Sequence, residues 1–304
     1  MQAQAYQNAA DLGRVQAALM RWVQQAGHCN YLHKGDIGHR LFNGGYKLRP
    51  QEMLHYWTDD ADHIIAFVNL YPQWESFDLQ LAPKLLCTDL HAALFAWCEQ
   101  ATLHFARRIG KKTDALVVEA FDCDQGYRAF LEARGYVYDK HSFTLTRHDY
   151  DHLPLASLPP GFRFHDASAA DVEKLADVHN HSFTNKWTPE SYGRVFRAPH
   201  MEYEIAVAAP DHRFAAFTNV WVDEVNRSLL FEPVGTHSDF RRRGIGKALM
   251  VYVLKRMQSE HDIKCAYVCH EPPQANPAAA ALYAAVGFRR LHEIHEYAKP
   301  IRPE

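Results

Sequence analysis

Between Leu229 and Met257 the sequence changes period across a glycine loop. Leu229 to His237 reads as a strand, and from Gly244 the apolar residues Ile245, Ala248, Leu249, Tyr252, Val253 and Met257 recur at helical spacing. The join is Arg241-Arg-Arg-Gly-Ile-Gly-Lys247. A strand, a tight loop and a helix in this order aim successive backbone N–H groups at one spot, at the positive end of the helix dipole. Gly244 and Gly246 let the backbone approach an anion closely, and Arg241, Arg242, Arg243 and Lys247 add local positive charge. With Ile245 and Ala248 completing the first turn, the loop suits a pyrophosphate. Other glycine loops do not fit: G-x-x-x-x-G-K-[ST] fails at Arg241 and Ala248, and G-x-G-x-x-G fails at Leu249. The plain alternative is a solvated turn before a helix.

The 304 residues, 47% apolar and 23% charged, suffice for two domains of roughly 150 residues each. No run approaches the roughly 18 to 20 apolar residues of a membrane span, and the opening residues lack the character of a signal peptide. A soluble, cytoplasmic protein is expected. Six scattered cysteines suggest reduced thiols and no disulfide. With 33 basic against 36 acidic residues, the net charge of -3 provides no global field for nucleic acid or an anionic membrane.

Three prolines in Asp151 to Pro160 mark a linker, giving domains at 1–150 and 161–304. In the second, a strand at Gly161 to His165 precedes a helix capped by Ser168, with Val172, Leu175, Ala176 and Val178 on its apolar face. Strands follow at Tyr203 to Ala208, Phe214 to Val222 and Leu229 to His237, then the helix from Gly244. A strand at Lys264 to Cys269, a helix at Pro277 to Val286 and closing strands near Phe288 to Tyr297 complete the domain. The first half shows strands at His63 to Tyr71, Phe77 to Leu81 and Ala115 to Phe121. Its helices carry Leu90, Leu94, Trp97, Ala101 and Phe105, and span Tyr127 to Ala133. Gly135-Tyr136 precedes Gly287-Phe288 by 152 positions, and Leu79 to Pro83 precedes Val234 to Ser238 by 155, which points to an internal duplication. The fold class is mixed α/β (α+β), as two tandem domains each with a mixed central sheet flanked by helices.

A second motif is Asn276-Pro-Ala-Ala-Ala-Ala-Leu-Tyr-Ala-Ala-Val-Gly-Phe288. With it the chain resembles the GNAT superfamily of N-acetyltransferases. The family's R/Q-x-x-G-x-G/A loop is matched by Arg241, Gly244 and Gly246, and its N-x-x-A-x-x-L-Y-x-x-x-G-F helix by Asn276, Ala279, Leu282, Tyr283, Gly287 and Phe288. The resemblance is close over 161–297 and holds in outline before it, as in the tandem arrangement of mycothiol synthase. It implies acetyl-CoA as cosubstrate between two parting strands. Val234, Gly235 and Thr236 would pair with pantetheine, residues 241 to 248 would hold the pyrophosphate, and Asn276 would contact the cofactor arm.

Acetyl transfer to an amine requires a proton for the leaving thiolate and an acceptor for the proton the amine loses. The resemblance makes Tyr283 the acid, beside the sulfur; otherwise it is a core tyrosine. Glu232, on the strand of Val234, is the first choice of base, with Glu271 and His270 as alternatives and an ordinary strand carboxylate as the plain reading. The resemblance also puts acceptor recognition in Asn180 to Trp187 and on to Tyr192. Trp187, Glu190 and Tyr192 would line an amine pocket, or simply pack around a helix start at Thr188-Pro-Glu. Cys269 and His270 point to opposite faces of a strand, so with His261 and Cys265 they make no metal site, and none is expected. Asn30 to His33 and Gly35-Asp36 form a polar turn, or part of an acceptor pocket. A small-molecule amine is the expected partner, with a peptide amine or a silent acyl-CoA-binding role as alternatives. In the 155 register Arg241, Gly244 and Gly246 fall opposite Leu86, Asp89 and His91. In the 152 register Tyr283 and Asn276 fall opposite Leu131 and Asp124, so the first half is expected to hold no cofactor.

Overall fold

A computed structural model describes residues 2–42, 48–184, 186–199 and 202–301. The chain forms two compact units, the first made of Met1–Phe143 with His292–Glu304 and the second of Thr144–Leu291. Both follow one plan.

In the second unit, β7 (Arg163–Asp166) leads to α6 (Val172–Ser182) and α7 (Pro189–Phe196), with β1–β6 and α1–α5 belonging to the preceding chain and defined below. Then come β8 (Tyr203–Ala208), β9 (Phe214–Asp223), β10 (Ser228–Thr236), α8 (Ile245–His261), β11 (Cys265–His270) and α9 (Pro277–Val286). β7 to β10 form an antiparallel meander, and β10 then runs parallel to β11. All ten residues of β9 are buried, as befits a central strand covered on both faces. Alternation along the strands separates two packing faces. Ile205, Val207, Val220, Val222, Leu229 and Phe231 meet α8 in one cluster, while Ala206, Ala208, Phe214 and Phe217 meet Leu175, Val178 and Tyr192 of α6 and α7 in another.

The helix ends are specified locally. Ser168 and Asp171 form a reciprocal cap ahead of α6, Thr188 caps α7, and Asn276 Oδ1 accepts from Ala279 N at 3.2 Å to start α9 behind Pro277. Segment 151–160 carries no regular structure, and its Leu153, Ala156 and Leu158 pack against the second unit's core.

The first unit has β1 (Gln4–Ala5), α1 (Ala9–Ala26), α2 (Lys34–Phe42), α3 (Pro50–Met53), β2 (Leu54–Thr58), β3 (Ile64–Tyr71), β4 (Ser76–Leu81), α4 (Asp89–Arg108), β5 (Ala115–Phe121) and α5 (Gln125–Ala133). β1 to β4 are antiparallel, and β4 meets β5 in parallel. Two further strands, β6 (Val137–His148) and β12 (Arg289–Pro300), each contain a point of division between the units. Residues 144–148 of β6 run antiparallel to β11 in the second unit, and residues 294–300 of β12 run antiparallel to β5 in the first. The closing strand expected for the second domain near Phe288 to Tyr297 therefore completes the first unit's sheet from Ile294 onward. In a duplicated chain β5 and β11 offer similar templates, so the local pattern of a strand does not tell which one it joins.

Candidate active site

The parallel pair of β10 and β11 is registered from Ser228 against Cys265 to Phe231 against Val268, and among the described residues the pairing ends there. On its other side β10 shifts register against β9 between Phe231 and Val234, then continues as Val234, Gly235 and Thr236 opposite Thr218, Phe217 and Ala216. The irregularity covers Glu232 and Pro233, joined by a cis peptide bond. From Val234 to Thr236 one edge of β10 thus has no strand partner among the described residues, and its N–H and C=O groups can pair with an extended ligand. Gly235 is required by close approach: a Cβ there would lie 2.4 Å from Phe217 Cε1 and 2.8 Å from Ser182 Oγ. The end of α6 accordingly sits directly on this strand.

Past β10, a turn at Ser238–Phe240 leads into the glycine loop. Arg242 and Gly244 adopt left-handed φ of 63° and 76°, and α8 starts at Ile245 without a side-chain cap. The N–H groups of Ile245, Gly246 and Lys247 therefore open a 17-residue helix with no side-chain oxygen over them, the arrangement in which a helix end holds phosphate. A Cβ on Gly246 would stand 3.0 Å from Thr236 Oγ1 and 3.5 Å from Leu282 Cδ2, so this first turn is packed between β10 and α9. Arg241 behaves as a strut. Its Nε donates to Thr236 O at 3.1 Å, and its Nη2 donates to His181 O at 3.1 Å and Ser182 O at 3.0 Å. Arg242 is exposed, Lys247 half-buried, and Arg243 lies over the Phe240 ring at 5.6 Å. The uncapped turn, the left-handed glycine and the cationic side chains fit a diphosphate.

Tyr283 on α9 is 6% exposed, with its ring 5.7 Å from that of His270 and 6.1 Å from that of Phe288. Burial holds its phenol well above the ordinary range, and the nearby Glu232 carboxylate and Cys269 thiol push it the same way. Its hydroxyl stays protonated at neutral pH and can act as a donor. Glu232 is half-buried and within electrostatic reach of Tyr283. His270, also buried, donates through Nδ1 to Glu271 O at 2.5 Å, and Glu271 is exposed. Asn276 serves first as the cap of α9.

The expected acceptor segment is mainly a packing unit. Asn180 pins Trp187 twice, accepting its N–H at 2.7 Å and donating to its carbonyl at 2.8 Å. Tyr192 is buried, with its ring 4.9 Å from Trp187 and 6.0 Å from His179, while exposed Glu190 pairs with Arg194 at 3.0 Å. Asn185 lies outside the described residues. A pair not anticipated from sequence adjoins this cluster. Glu204 on β8 is 4% exposed and accepts from Asn219 Nδ2 on β9, and its Oε1 has no partner among the described residues. Burial raises its carboxyl to about 8. A lone Glu within an apolar strand was the available signal.

The first unit differs at the corresponding places. β4 and β5 share the single registered pair Ser76 and Val117. The connection between α1 and α2 bridges both strands. Tyr31 Oη donates to Leu81 O at 2.9 Å, Leu32 N donates to Gln80 Oε1 at 3.2 Å, and Phe121 N donates to Asn30 Oδ1 at 3.2 Å. Next to these contacts Cys29 and Cys123 are disulfide-linked. The expectation of no disulfide is thus corrected: the two cysteines are 94 residues apart, and it is the loop crossing the strands that brings them together. α4 carries Asp89 in its first turn, and Thr88 Oγ1 accepts from His91 N at 3.3 Å, so this helix end is already capped.

Two groups of His, Cys, Asp and Glu among the described residues bring donor atoms within 4.8 Å of one another: Asp122, Cys123 and His292, and Asp177, His181 and His237. Cys123 is in the disulfide. His237 Nδ1 accepts the Asp239 N–H at 3.1 Å, which leaves its Nε2 protonated toward Asp177 and not a ready ligand.

Residues 172–288 match the model of the acetyltransferase (GNAT) family. The second unit is a GNAT acetyltransferase domain. The family uses an acyl-CoA cosubstrate, which the splayed strand pair and the uncapped loop of this GNAT domain fit. No curated protein sequence shows a significant match. Over its full length the chain is similar to a tandem GNAT protein from the clavulanic acid biosynthesis pathway, at 15% identity and a TM-score of 0.67, covering 100% of this chain and 99% of that one. An acetyltransferase from the GNAT family of Colwellia psychrerythraea gives 12% identity and a TM-score of 0.63 over 98% and 100%. A GCN5-related N-acetyltransferase from Sphaerobacter thermophilus gives 14% identity and 0.62 over 99% and 96%. At these identities the likeness is one of fold, and the fold of the chain is the tandem GNAT architecture.

Proposed function

We propose that the second unit transfers an acetyl group from acetyl-CoA to a primary amine of a small molecule by direct attack. Val234, Gly235 and Thr236 hold the pantetheine arm at the unpaired edge of β10, and the backbone of residues 241 to 248 holds the pyrophosphate, with Arg242, Arg243 and Lys247 adding charge. Arg241 contributes by fixing the loop to α6, and Asn276 by setting the start of α9. The thioester supplies an activated acyl group and a thiolate leaving group. As the amine nitrogen bonds to the carbonyl carbon and the carbon–sulfur bond breaks, Tyr283 Oη delivers a proton to the sulfur, and Glu232, directly or through water, accepts the proton the amine loses.

The observation that carries this reading is a buried tyrosine, held protonated, within electrostatic reach of a half-buried carboxylate beside the fork of β10 and β11. The first unit, 1–150 in the sequential division, is proposed to be a degenerate copy without a cofactor loop. Its capped α4 and its bridged β4 and β5 support that role. Acetyl-CoA turnover measured against small primary amines and peptides tests the function. Turnover with small amines is expected; turnover restricted to peptide amines, or tight CoA binding with no turnover, would replace this reading with one of its alternatives.

A further inference from the structure

A cleft of about 560 Å³ in the first unit lies outside everything that acetyl transfer uses. Its volume falls within the roughly 300–1,000 Å³ of small-molecule sites. α1 lines it with Arg21 and Trp22, the start of β3 with Ile64 and Ile65, and the segment after β4 with Pro83 and Lys84. The apolar walls are fixed by the core behind them. Trp22 is buried and stacks on Phe67 with ring centroids 5.9 Å apart, and Ala82 N, beside Pro83, donates to Ile65 O at 2.9 Å. The charges at the rim are not balanced. Arg21 and Lys84 each have neither an ion pair nor a hydrogen bond among the described residues. The rim carboxylate, Asp59, is satisfied inside its own turn: Oδ1 accepts from Ala61 N at 3.0 Å and from His63 N at 2.9 Å, and Oδ2 lies 3.4 Å from His63 Nδ1.

The second unit, built on the same plan, shows what closes the corresponding place. Its turn from Ala209 to Arg213 is tied by Ala209 N donating to Arg213 O, as Asp59 N donates to His63 O in the first unit, and its short turn Ser238–Phe240 stands where Pro83–Leu85 stands in the first. Arg213 of one turn pairs with Asp239 of the other at 2.8 Å and lies over the Phe240 ring at 4.7 Å. In the first unit these two positions are His63 and Lys84, both basic, so the turns are not bridged and the lysine is left without a partner. We propose that the cleft binds a phosphate monoester of an apolar alcohol, its phosphate held by Arg21 and Lys84 and its hydrocarbon lying against Trp22, Ile64 and Pro83. The planar guanidinium takes two phosphate oxygens at once, and the ammonium acts on the group as a point charge. A phosphate monoester carries close to two negative charges at neutral pH, which matches the two unpaired cations as a carboxylate does not.

Titration calorimetry of the intact chain with phenyl phosphate tests this, with CoA present at saturation so that the glycine loop of the second unit is occupied. Binding is expected, with phenol, inorganic phosphate and benzoate each at least about 10-fold weaker, since each lacks the charge, the ring or the second negative charge. Arg21→Gln and Lys84→Gln change exposed side chains and leave the core intact, and each should weaken phenyl phosphate at least about 10-fold. No binding, an equal affinity for phenol, inorganic phosphate or benzoate, or an affinity unchanged in either variant would overturn the proposal. Both variants should keep wild-type turnover of acetyl-CoA, so a failure here leaves acetyl transfer by the second unit untouched, and a failure of turnover leaves this cleft untouched.

Discussion

Glu204 offers a quantitative test of how the second unit is packed. Its carboxyl is buried between β8, β9 and the α6–α7 cluster, and burial moves it from an ordinary 4.5 to about 8. At pH 7 the unfolded chain carries this group ionised and the folded chain carries it neutral. Folding must therefore take up a proton across 2.5 units of pH, at about 1.4 kcal/mol per unit, or about 3 kcal/mol. The sign follows from a raised folded value: the group's contribution is intact below about pH 4.5 and is lost as pH rises toward about 8. Glu204→Gln keeps an oxygen to accept from Asn219 Nδ2 and removes the titration. The variant should match the wild type near pH 4.5 and exceed it by about 3 kcal/mol at pH 7. Hydrogen exchange of peptides covering 203–223, followed through urea at several pH values and corrected for intrinsic rates, isolates this unit from the first. Parallel stability profiles for the two proteins, or a less stable variant at pH 7, would refute the reasoning.

Three further substitutions probe the active site, and a fourth in α1 serves as a control. Tyr283→Phe should lower kcat by on the order of 10- to 1000-fold with little change in KM for acetyl-CoA, and near-native kcat would mean that another group protonates the sulfur. Glu232→Gln should depress the rate and alter the limb of the pH–rate profile that rises with pH; an unaltered limb would redirect the role of base to Glu271 or His270. Gly235→Ala drives a methyl into Phe217 and Ser182 and should cost about 1–3 kcal/mol by chemical denaturation, whereas Gly13→Ala, with open space around its Cβ in α1, should be neutral or stabilising.

Much of the second unit was legible because its signals are local. The helical period from Ile245 to Met257, the Asn276-Pro277 start and Gly287 stop of α9, and the short apolar runs of β8 and β9 each reside within a short window, and they match the elements found. Strand and helix assignments from sequence begin at His63, yet α1 precedes it with Leu12, Val15, Leu19 and Trp22 buried at helical spacing, a pattern that was there to be read. Features set by tertiary approach were not legible. The pairing of β6 with β11 and of β12 with β5, the Cys29–Cys123 disulfide and the bridging of β4 and β5 by Asn30 to Leu32 each join segments far apart in sequence. At the site the loop and Tyr283 were recognisable from motif. That Arg241 would turn onto the carbonyls of His181 and Ser182, and that Glu204 would sit with Asn219 under α7, depend on packing that spacing does not encode.

Titration of CoA into the intact chain, with Gly244→Asp in parallel, tests the central claim most directly. A stoichiometry near one is expected, with binding abolished in the variant, because among the described residues only α8 presents an uncapped helix end behind a left-handed glycine, and a carboxylate there would stand where the pyrophosphate belongs. A stoichiometry near two, or CoA binding unchanged by Gly244→Asp, would contradict a single acyl-CoA site in the second unit.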